Sequence, residues 1–489
     1  MSASTDTSFF GHPRGLQTLF FTEMWERFSY YGMRAILLLY MTAAVAAGGM
    51  GLSAAEGAGI YGAYTAGVYM AAIPGGFVAD RLLGLRRSVL AGGILIALGH
   101  FSLAFGVRPL FYAGLIAIVA GTGLLKPNIS AIVGTLYAPE DIRRDAGFSL
   151  FYMGINTGAF ISPLICGWLA QSETFKAKLA SMGMNPEMSW HWGFGAAGIG
   201  MTLGVVQYWF GSQRLPATPV VNKAANPATL WLSLLGCILV VAGLLYQFWE
   251  QRDVLVLVGT VIFASWFVSQ TEPGVERKRA FAVMILFVFA SLFWAGFEQA
   301  GSSLNLFGDR FTDNRIFGMS FPSSFHQSTN SIFLIIFAPI MGWLWLKLAR
   351  ARKEPSSPAK FSAGLVLVGA GFAVIAMAAK ISDANGGALV SPMWLTVVYF
   401  LHTIGELCLS PVGLSTMTKL APARLAGSIM GVWFMATSVG NFVGGQVAGQ
   451  FEKFPLPSLF SAVAMTTVIA GLICLALSPT IKRLMGGVN

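Results

Sequence analysis

Charged residues are scarce in this chain of 489 residues. Asp, Glu, Lys and Arg make up 11% of it, against about 25% in an average soluble domain. Hydrophobic residues make up 55%, and apolar stretches of about 20 residues, long enough to cross a bilayer, recur from end to end. A soluble protein of this composition would expose too much apolar surface. The sequence therefore predicts a polytopic, all-α membrane protein.

Cysteine is also rare, and its placement excludes two kinds of site. The cysteines lie in apolar stretches and have neither the spacing of a zinc site nor that of a disulfide framework; they are Cys166, Cys237, Cys408 and Cys474. No nucleophile constellation or phosphate-binding loop is present in the sequence either. We expect packing roles for these thiols, no metal, no cofactor other than a coupling ion, and no enzymatic activity.

Fourteen apolar stretches are predicted to span the membrane. They are 16–45, 55–80, 87–106, 109–136, 146–171, 192–213, 228–249, 253–270, 279–308, 325–350, 361–381, 391–420, 425–449 and 457–481. With the N-terminus inside, cytoplasmic segments carry 20 of the 31 Lys and Arg residues and the outer loops carry 8. This bias predicts a cell-membrane protein with both termini in the cytoplasm. The basic residues are spread over many short loops, so nucleic acid is not an expected partner.

Two pairs of similar segments indicate an internal repeat. "GTGLLKP" at 121–127 resembles "GELCLSP" at 405–411, and "AGFSLFYMGINTGAF" at 146–160 resembles "AGSIMGVWFMATSVGNF" at 426–442. Both pairs are about 280 residues apart in the same order, and duplicated halves with a site between them are a transporter design. We predict a six-helix bundle in 1–214, a linker with two inserted helices in 215–277, and a second six-helix bundle in 278–489.

Four charges interrupt the first apolar stretch, in "FTEMWERFSYYGMRA" at 21–35. At 100° per residue, the side chains of Glu26, Arg27, Tyr30 and Arg34 fall within about 60° of that of Glu23 on a helix. Charges at membrane depth normally face a bundle interior or a watery cavity. The spacing predicts an inward-facing polar stripe; a static ion-pair network is the alternative.

Three more charges lie near the middle of apolar spans: Lys126, Glu298 and Glu406. Together with the stripe they give the N-terminal half a net charge of +1 and the C-terminal half −2. A cavity between the halves would be basic on one wall and acidic on the other, which suits a zwitterion. One bound proton would neutralise the remaining charge of −1. A desolvated carboxylate binds a proton more readily unless it is paired.

Aromatic and amide side chains accompany these charges. The candidate pocket aromatics are Tyr30, Tyr31, Tyr69, Trp294, Phe297 and Trp433. Such side chains supply apolar walls with polar tips, although ordinary packing is the alternative for each. Asn156 and Asn330 are candidates for neutral hydrogen bonds.

The loop "GGFVADRLLGLRRS" at 75–88 has the spacing G-x-x-x-D-R-x-x-G-x-R-R, which is typical of the major facilitator superfamily. Glycines permit a tight turn and a close helix approach, and the acid is suited to a helix N-terminus. We interpret the segment as a conformational latch on the cytoplasmic side; a plain basic loop is the alternative. Its candidate residues are Gly75, Gly76, Asp80, Arg81, Gly84, Arg86 and Arg87.

Two motifs resemble one family within that superfamily, the proton-dependent oligopeptide transporters. "EMWERFSYYG" at 23–32 is similar to the family's E-x-x-E-R-F-x-Y-Y signature, and "FYMGINTG" at 151–158 is similar to its F-Y-x-x-I-N-x-G signature. The resemblance extends over nearly the whole chain, inserted helix pair included. It implies a major facilitator fold and proton-coupled import of di- and tripeptides by alternating access.

The resemblance also implies roles for individual residues. Glu23, Glu26 and Arg27 resemble a proton-linked cluster, and Glu298 resembles the principal protonation site, paired with Arg34. Arg34 and Lys126 are similar to residues that meet the peptide carboxylate. Asn156, Asn330 and Glu406 resemble the ammonium side, with Lys126 and Glu406 as an opposing pair. One departure is Ser331, which stands where the family pattern has proline after the asparagine.

Other functions remain compatible with the residues. Relatives in the family carry other anions, including nitrate, and a drug or sugar carrier or a non-transporting sensor would share the fold. The partners we expect are a di- or tripeptide, protons and the lipid bilayer, and we expect a monomer.

Overall fold

A computed structural model describes residues 8–138, 141–217, 252–420 and 426–486 of the chain. Its first part is a series of helices, most of them connected by short turns. They are α1 (Arg14–Thr42), α2 (Ala54–Met70), α3 (Ala72–Val78), α4 (Leu85–Ala104), α5 (Arg108–Thr135), α6 (Arg144–Gln171), α7 (Glu173–Ser181) and α8 (Ser189–Gly211).

The second part continues in the same way and adds one small sheet. Its helices are α9 (Arg252–Ser269), α10 (Val275–Phe297), α11 (Ser303–Arg310), α12 (Ser328–Arg350), α13 (Ser357–Ala384), α14 (Met393–Leu420), α15 (Ala426–Ala448) and α16 (Leu456–Met485). Strands β1 (Arg315–Ile316) and β2 (Met319–Ser320) form an antiparallel hairpin with Arg315 opposite Ser320. The predicted span 228–249 and Cys237 lie outside the described residues.

Length and composition make many of these helices suitable for a membrane. Within the described ranges, eight segments are long and apolar enough to cross a bilayer, and α9 is a shorter apolar helix. Apart from 228–249, the predicted spans coincide with described helices to within a few residues, so the all-helical membrane fold is confirmed. Cys166, Cys408 and Cys474 are buried and free, as expected for packing residues.

Two predicted continuous helices are broken. The span 55–80 divides at Ala71 into α2 and α3 and then continues in a π-helical turn, Ala79–Leu83. Pro74, which has no backbone N–H to donate, lies just after the division. The span 279–308 divides where α10 passes into a 3₁₀ turn at Glu298–Gly301 before α11. This second break places Glu298 at a helix end rather than inside a regular helix.

The helices pack in two groups. Helices α1 to α8 pack on one another, chiefly α4 on α5 and α1 on α6 and α8. Helices α10 to α16 form the other group, with α13 packed on α14 and α16. Helix α9 contacts α10 and α15, and the amide of Gln446 on α15 donates to the carboxylate of Asp253 at 2.8 Å. We call the two groups the N-terminal and C-terminal halves.

The two halves meet along α2 with α15 and along α6 with α12. A Cβ atom on Gly62 of α2 would overlap the backbone of Gly445 on α15, so this crossing requires glycine on both helices. Near it, the Ser438 hydroxyl donates to the Ala66 carbonyl at 2.9 Å. We call the end of the bundle that carries the β-hairpin, together with residues 43–53 and 449–455, the hairpin end.

Candidate substrate and proton site

The polar stripe on α1 points into the protein, as the helical period predicts. Glu23, Glu26, Arg27, Tyr30 and Arg34 are all buried, with at most 5% of any of them exposed. Because each of these side chains is removed from solvent and from lipid, the stripe belongs to the interior of the N-terminal half and its boundary with the other half.

Arg27 holds two carboxylates at once. Its Nε lies 3.0 Å from Glu23 Oε1 and 2.5 Å from Glu26 Oε2. Its guanidinium also lies 5.6 Å from the ring centre of Tyr30. Two buried acids share one buried base, so with all three ionised the cluster has a net charge of −1. One proton would remove that charge, which makes the cluster a candidate for proton binding.

Arg34 crosses from the N-terminal half to the C-terminal half. Its Nη2 lies 2.5 Å from Glu298 Oε2, and both side chains are about 95% buried. Its Nε donates to the hydroxyl of Tyr61 on α2, also at 2.5 Å. The Tyr61 hydroxyl occupies the space that a Cβ on Gly301 would need. The helix break at Glu298–Gly301 therefore leaves room for both the Arg34–Glu298 ion pair and the Tyr61 hydroxyl.

Lys126 on α5 is half-buried and lies against an aromatic ring. Its Nζ is 4.0 Å from the ring centre of Tyr69, within the range of a cation–π contact. Lys126 and Glu406, both of which the structure describes, do not form an ion pair in this conformation. The predicted opposing pair is thus separated here, whereas the pair of Arg34 with Glu298 is formed.

Glu406 on α14 belongs to a small polar network. The amide nitrogen of Asn330 donates to Glu406 Oε2 at 3.4 Å and to the hydroxyl of Thr403 at 2.9 Å. The Thr403 hydroxyl donates in turn to the Tyr399 carbonyl at 2.6 Å. The structure brings Asn330 and Glu406 together, as the sequence predicts, even though Ser331 replaces the expected proline.

Asn156 lies buried on α6, and its side-chain amide donates to the Tyr152 carbonyl of the same helix at 3.0 Å.

The predicted aromatics divide into two groups. Those beside the charges are Tyr30, Tyr31 and Tyr69, under Arg27, Arg34 and Lys126 respectively.

The other aromatics pack mainly within the C-terminal half. Trp294 lies edge to face with Phe297, 5.4 Å between ring centres, and Phe297 contacts the ring of His402 at 6.3 Å. Trp433 is buried where a Cβ on Gly413 would overlap it. The contacts observed for Trp433 are therefore those of a residue that packs between helices.

The predicted latch segment joins α3 to α4. A Cβ on Gly75 would overlap the backbone of Gly123 on α5, and Gly84 has φ +75° at the start of α4. Arg81 lies 4.9 Å above the Phe77 ring, and Asp80 is exposed in the π-helical turn. The remaining predicted residues of the segment are Gly76 in α3 and Arg86 and Arg87 in the first turn of α4.

Several polar contacts that close the hairpin end have no counterpart in the sequence predictions. Glu452 Oε1 lies 2.6 Å from Arg310, and its Oε2 accepts from the backbone N–H of Ala54 at 3.1 Å. Gln171 donates to the Ser323 hydroxyl at 2.9 Å and accepts from the Ser324 backbone at 3.2 Å. The Glu452–Ala54 contact and the contacts of Gln171 join the two halves, whereas the Arg310–Glu452 pair lies within the C-terminal half.

Comparison with known proteins identifies the family. The model of the POT family matches residues 86–465, which is well over half of the chain. The chain belongs to the POT family.

Relatives and solved structures agree with this assignment. The chain is 40% identical to the peptide transporter YePEPT of Yersinia enterocolitica, over 99% of this chain and 98% of the relative. It is 38% identical to the di-/tripeptide transporter of Lactococcus lactis, over 99% of both. A crystal structure of a mutant peptide transporter POT with alafosfalin superposes with a TM-score of 0.87 at 39% identity, covering 98% of this chain and 97% of that one.

A further solved relative has a non-peptide ligand. The POT family transporter in complex with 5-aminolevulinic acid superposes with a TM-score of 0.86 at 34% identity and covers 98% of both chains. This protein is thus a multi-pass membrane protein of a transporter family, and its fold is the major facilitator fold that the sequence predicts.

Proposed function

We propose that this protein imports di- and tripeptides together with protons by alternating access of a site between its two halves. The observation that carries the proposal is the separation of charge across that boundary. Arg34 and Lys126 stand on the N-terminal half, and Glu298 and Glu406 stand on the C-terminal half. The carboxylate and ammonium groups of a short peptide need charges of opposite sign on the two sides of their site. The relatives named as peptide transporters support the same substrate class.

Each end of the peptide has its own candidate partners. Lys126 beside Tyr69, with Arg34 once it leaves Glu298, would bind the carboxylate. Glu406 and Asn330 would bind the ammonium group, with Asn156 on the facing half. Binding at the two ends and not along the side chains would allow peptides of different sequence, which is consistent with the solved complex of a relative with 5-aminolevulinic acid.

The coupling follows from the different states of the two cross-half pairs. With Arg34 bound to Glu298, the hairpin end is closed, while Lys126 and Glu406 are apart. We infer that this is the state open to the cytoplasm, and that Lys126 pairs with Glu406 when the other end opens. Protonation of Glu298 would release Arg34 for the peptide carboxylate. A proton and a peptide would then enter from the same side and leave together.

The remaining assignments rest on sequence and family. We place the protein in the cell membrane, with the hairpin end outside and both termini in the cytoplasm, because basic residues cluster at the other end. The latch between α3 and α4 would lie on the cytoplasmic side. We expect the two halves to correspond to residues 1–214 and 278–489, and a monomer to suffice, because a single chain supplies both the basic and the acidic residues that the site needs.

Proton movement that depends on peptide tests the proposal. Proteoliposomes loaded with a pH-sensitive dye should acidify when dialanine is added outside, with no gradient imposed at the start. Acetate-free buffer and liposomes without protein control for leak. If dialanine enters without acidifying the lumen, transport is not coupled to protons; if it does not enter at all, the substrate class is wrong.

A further inference from the structure

The hydroxyl of Thr403 lies one helical turn before Glu406 on α14 and is completely buried. It donates to the carbonyl of Tyr399, four residues earlier, at 2.6 Å. A hydroxyl has one proton to donate. Because that proton is used in the hydrogen bond to the Tyr399 carbonyl, the Thr403 oxygen can only accept a hydrogen bond from the neighbouring Asn330.

Asn330 responds to this constraint through the orientation of its amide. Its nitrogen lies 2.9 Å from the Thr403 hydroxyl and 3.4 Å from Glu406 Oε2. The reversed amide would direct a carbonyl oxygen at a carboxylate oxygen and at a hydroxyl that has no proton for it. Both contacts therefore favour one orientation, in which the amide nitrogen faces α14 and the carbonyl oxygen faces away from it.

We infer that Thr403 is a positioning residue for the ammonium group of the substrate. By fixing the amide of Asn330, it makes the Asn330 carbonyl oxygen available as a hydrogen-bond acceptor alongside the Glu406 carboxylate. An ammonium group has three donors and no acceptor, so it binds an oxygen pair and is repelled by an amide N–H. Thr403 acts through Asn330 and does not itself touch the substrate. This inference rests on the proposed function, because it assigns a cause to ammonium recognition at the same site.

Substitutions at position 403 separate this role from simple packing. Thr403→Val removes the hydroxyl and keeps the shape of the side chain. Thr403→Ala also removes the hydroxyl but leaves a smaller side chain. Thr403→Ser keeps the hydroxyl. Thr416→Val is the matched control, because Thr416 is a buried threonine on the same helix whose hydroxyl bonds Ser357 instead. Melting temperatures of the purified variants report any loss of packing.

The measurement is binding of dialanine and of N-acetyl-dialanine, which has the same carboxylate but no ammonium group. Losing one hydrogen bond of this kind corresponds to about fivefold to tenfold in affinity. We expect Thr403→Val and Thr403→Ala to bind dialanine about fivefold to tenfold more weakly with little change for the acetylated peptide. Thr403→Ser and Thr416→Val should bind dialanine like the unmodified protein.

Two results would overturn the inference. One is an equal loss for both ligands, which would mean that Thr403 supports the fold of the site and not the orientation of Asn330. The other is normal dialanine binding by both the valine and the alanine variants. If the unmodified protein does not bind dialanine, the proposed function itself fails, and that outcome is distinguishable because no variant is needed to see it.

Discussion

Arg34 on α1 reaches Glu298 at the end of α10, with 2.5 Å between Nη2 and Oε2, and this ion pair joins the two halves of the protein. Both side chains are buried, so separating them leaves uncompensated charge unless a proton or a substrate group replaces the lost partner. The pair is therefore suited to couple a proton to opening of the hairpin end.

Glu298→Gln removes the negative charge permanently and imitates the protonated acid. We expect this variant to lose accumulation driven by a proton gradient while it retains peptide binding and exchange of peptide for peptide. Counterflow of labelled dialanine and uptake under an imposed pH gradient measure the two properties. Asp383→Asn, which changes an exposed acid at the hairpin end, serves as the control. If the Glu298→Gln variant still concentrates dialanine under a pH gradient alone, the coupled proton binds at a residue other than Glu298, and Glu23 and Glu26 are the next candidates.

Glu406→Gln removes the charge that we assign to the peptide ammonium group. A charge-assisted hydrogen bond contributes about 1.5–3 kcal/mol, so binding of free dialanine should weaken by at least about tenfold. N-acetyl-dialanine has no ammonium group, so its affinity for the variant should be close to its affinity for the unmodified protein. Competition against a labelled dipeptide measures both affinities. Equal proportional losses for the two ligands would argue against an ammonium contact at Glu406.

Glu452→Gln should loosen closure of the hairpin end. The Glu452 carboxylate caps the N-terminus of α2 from the other half and pairs with Arg310; an N-cap of this kind contributes about 1 kcal/mol. Spin labels on the exposed residues Lys178 and Asn385, one in each half, should report a larger population of long distances by pulsed EPR. Unchanged distances in Glu452→Gln would show that the cap is incidental to closure.

The same contact has a predictable pH dependence. The hydrogen bond from Arg310 lowers the pKa of Glu452. A group with a lowered pKa stabilises the closed form above its ordinary pKa and stops doing so as the pH falls through the lowered value. The Glu452 contribution to closure should therefore persist at neutral and mildly acidic pH and disappear only in stronger acid.

The inserted segment 228–270 should be dispensable for peptide binding. The described part of it, α9, contacts α10 and α15 and holds Gln446 through Asp253, but it contributes none of the charges of the site. Replacing the segment with a polar linker should lower the melting temperature and leave the dialanine affinity of folded protein unchanged. Folded deletion protein that binds dialanine normally but cannot exchange it would reveal a transport role for the insertion.

Sequence reasoning located the charged residues because their chemistry conflicts with their surroundings. A charge inside an apolar stretch is costly, so Glu23, Glu26, Arg27 and Arg34 stand out without a structure, and the helical period places them on one face. Their burial confirms that placement. The contact of Arg34 with Glu298 was expected from family resemblance, and the fold brings the two residues together over 264 positions of sequence.

Other contacts could not be predicted from the same signals. Tyr61 and Thr403 are ordinary residues of membrane helices, and only their positions beside Arg34 and Asn330 make them functional candidates. The contact of Glu452 with α2 is to the backbone N–H of Ala54, so no side chain of α2 marks it in the sequence. At the broken helix after Glu298, the Tyr61 hydroxyl occupies the space that a Cβ on Gly301 would need, and this contact between distant segments has no signal in the sequence. The sequence is the same in every conformational state, so it could not show that Lys126 and Glu406 are unpaired in this one.

The most direct test of the account is uptake of labelled dialanine into proteoliposomes that contain the purified protein. With the outside acidic and the inside neutral, the account predicts accumulation above the outside concentration, and a protonophore should abolish it. Accumulation that is the same with and without the proton gradient, or no entry of dialanine under either condition, would contradict the account.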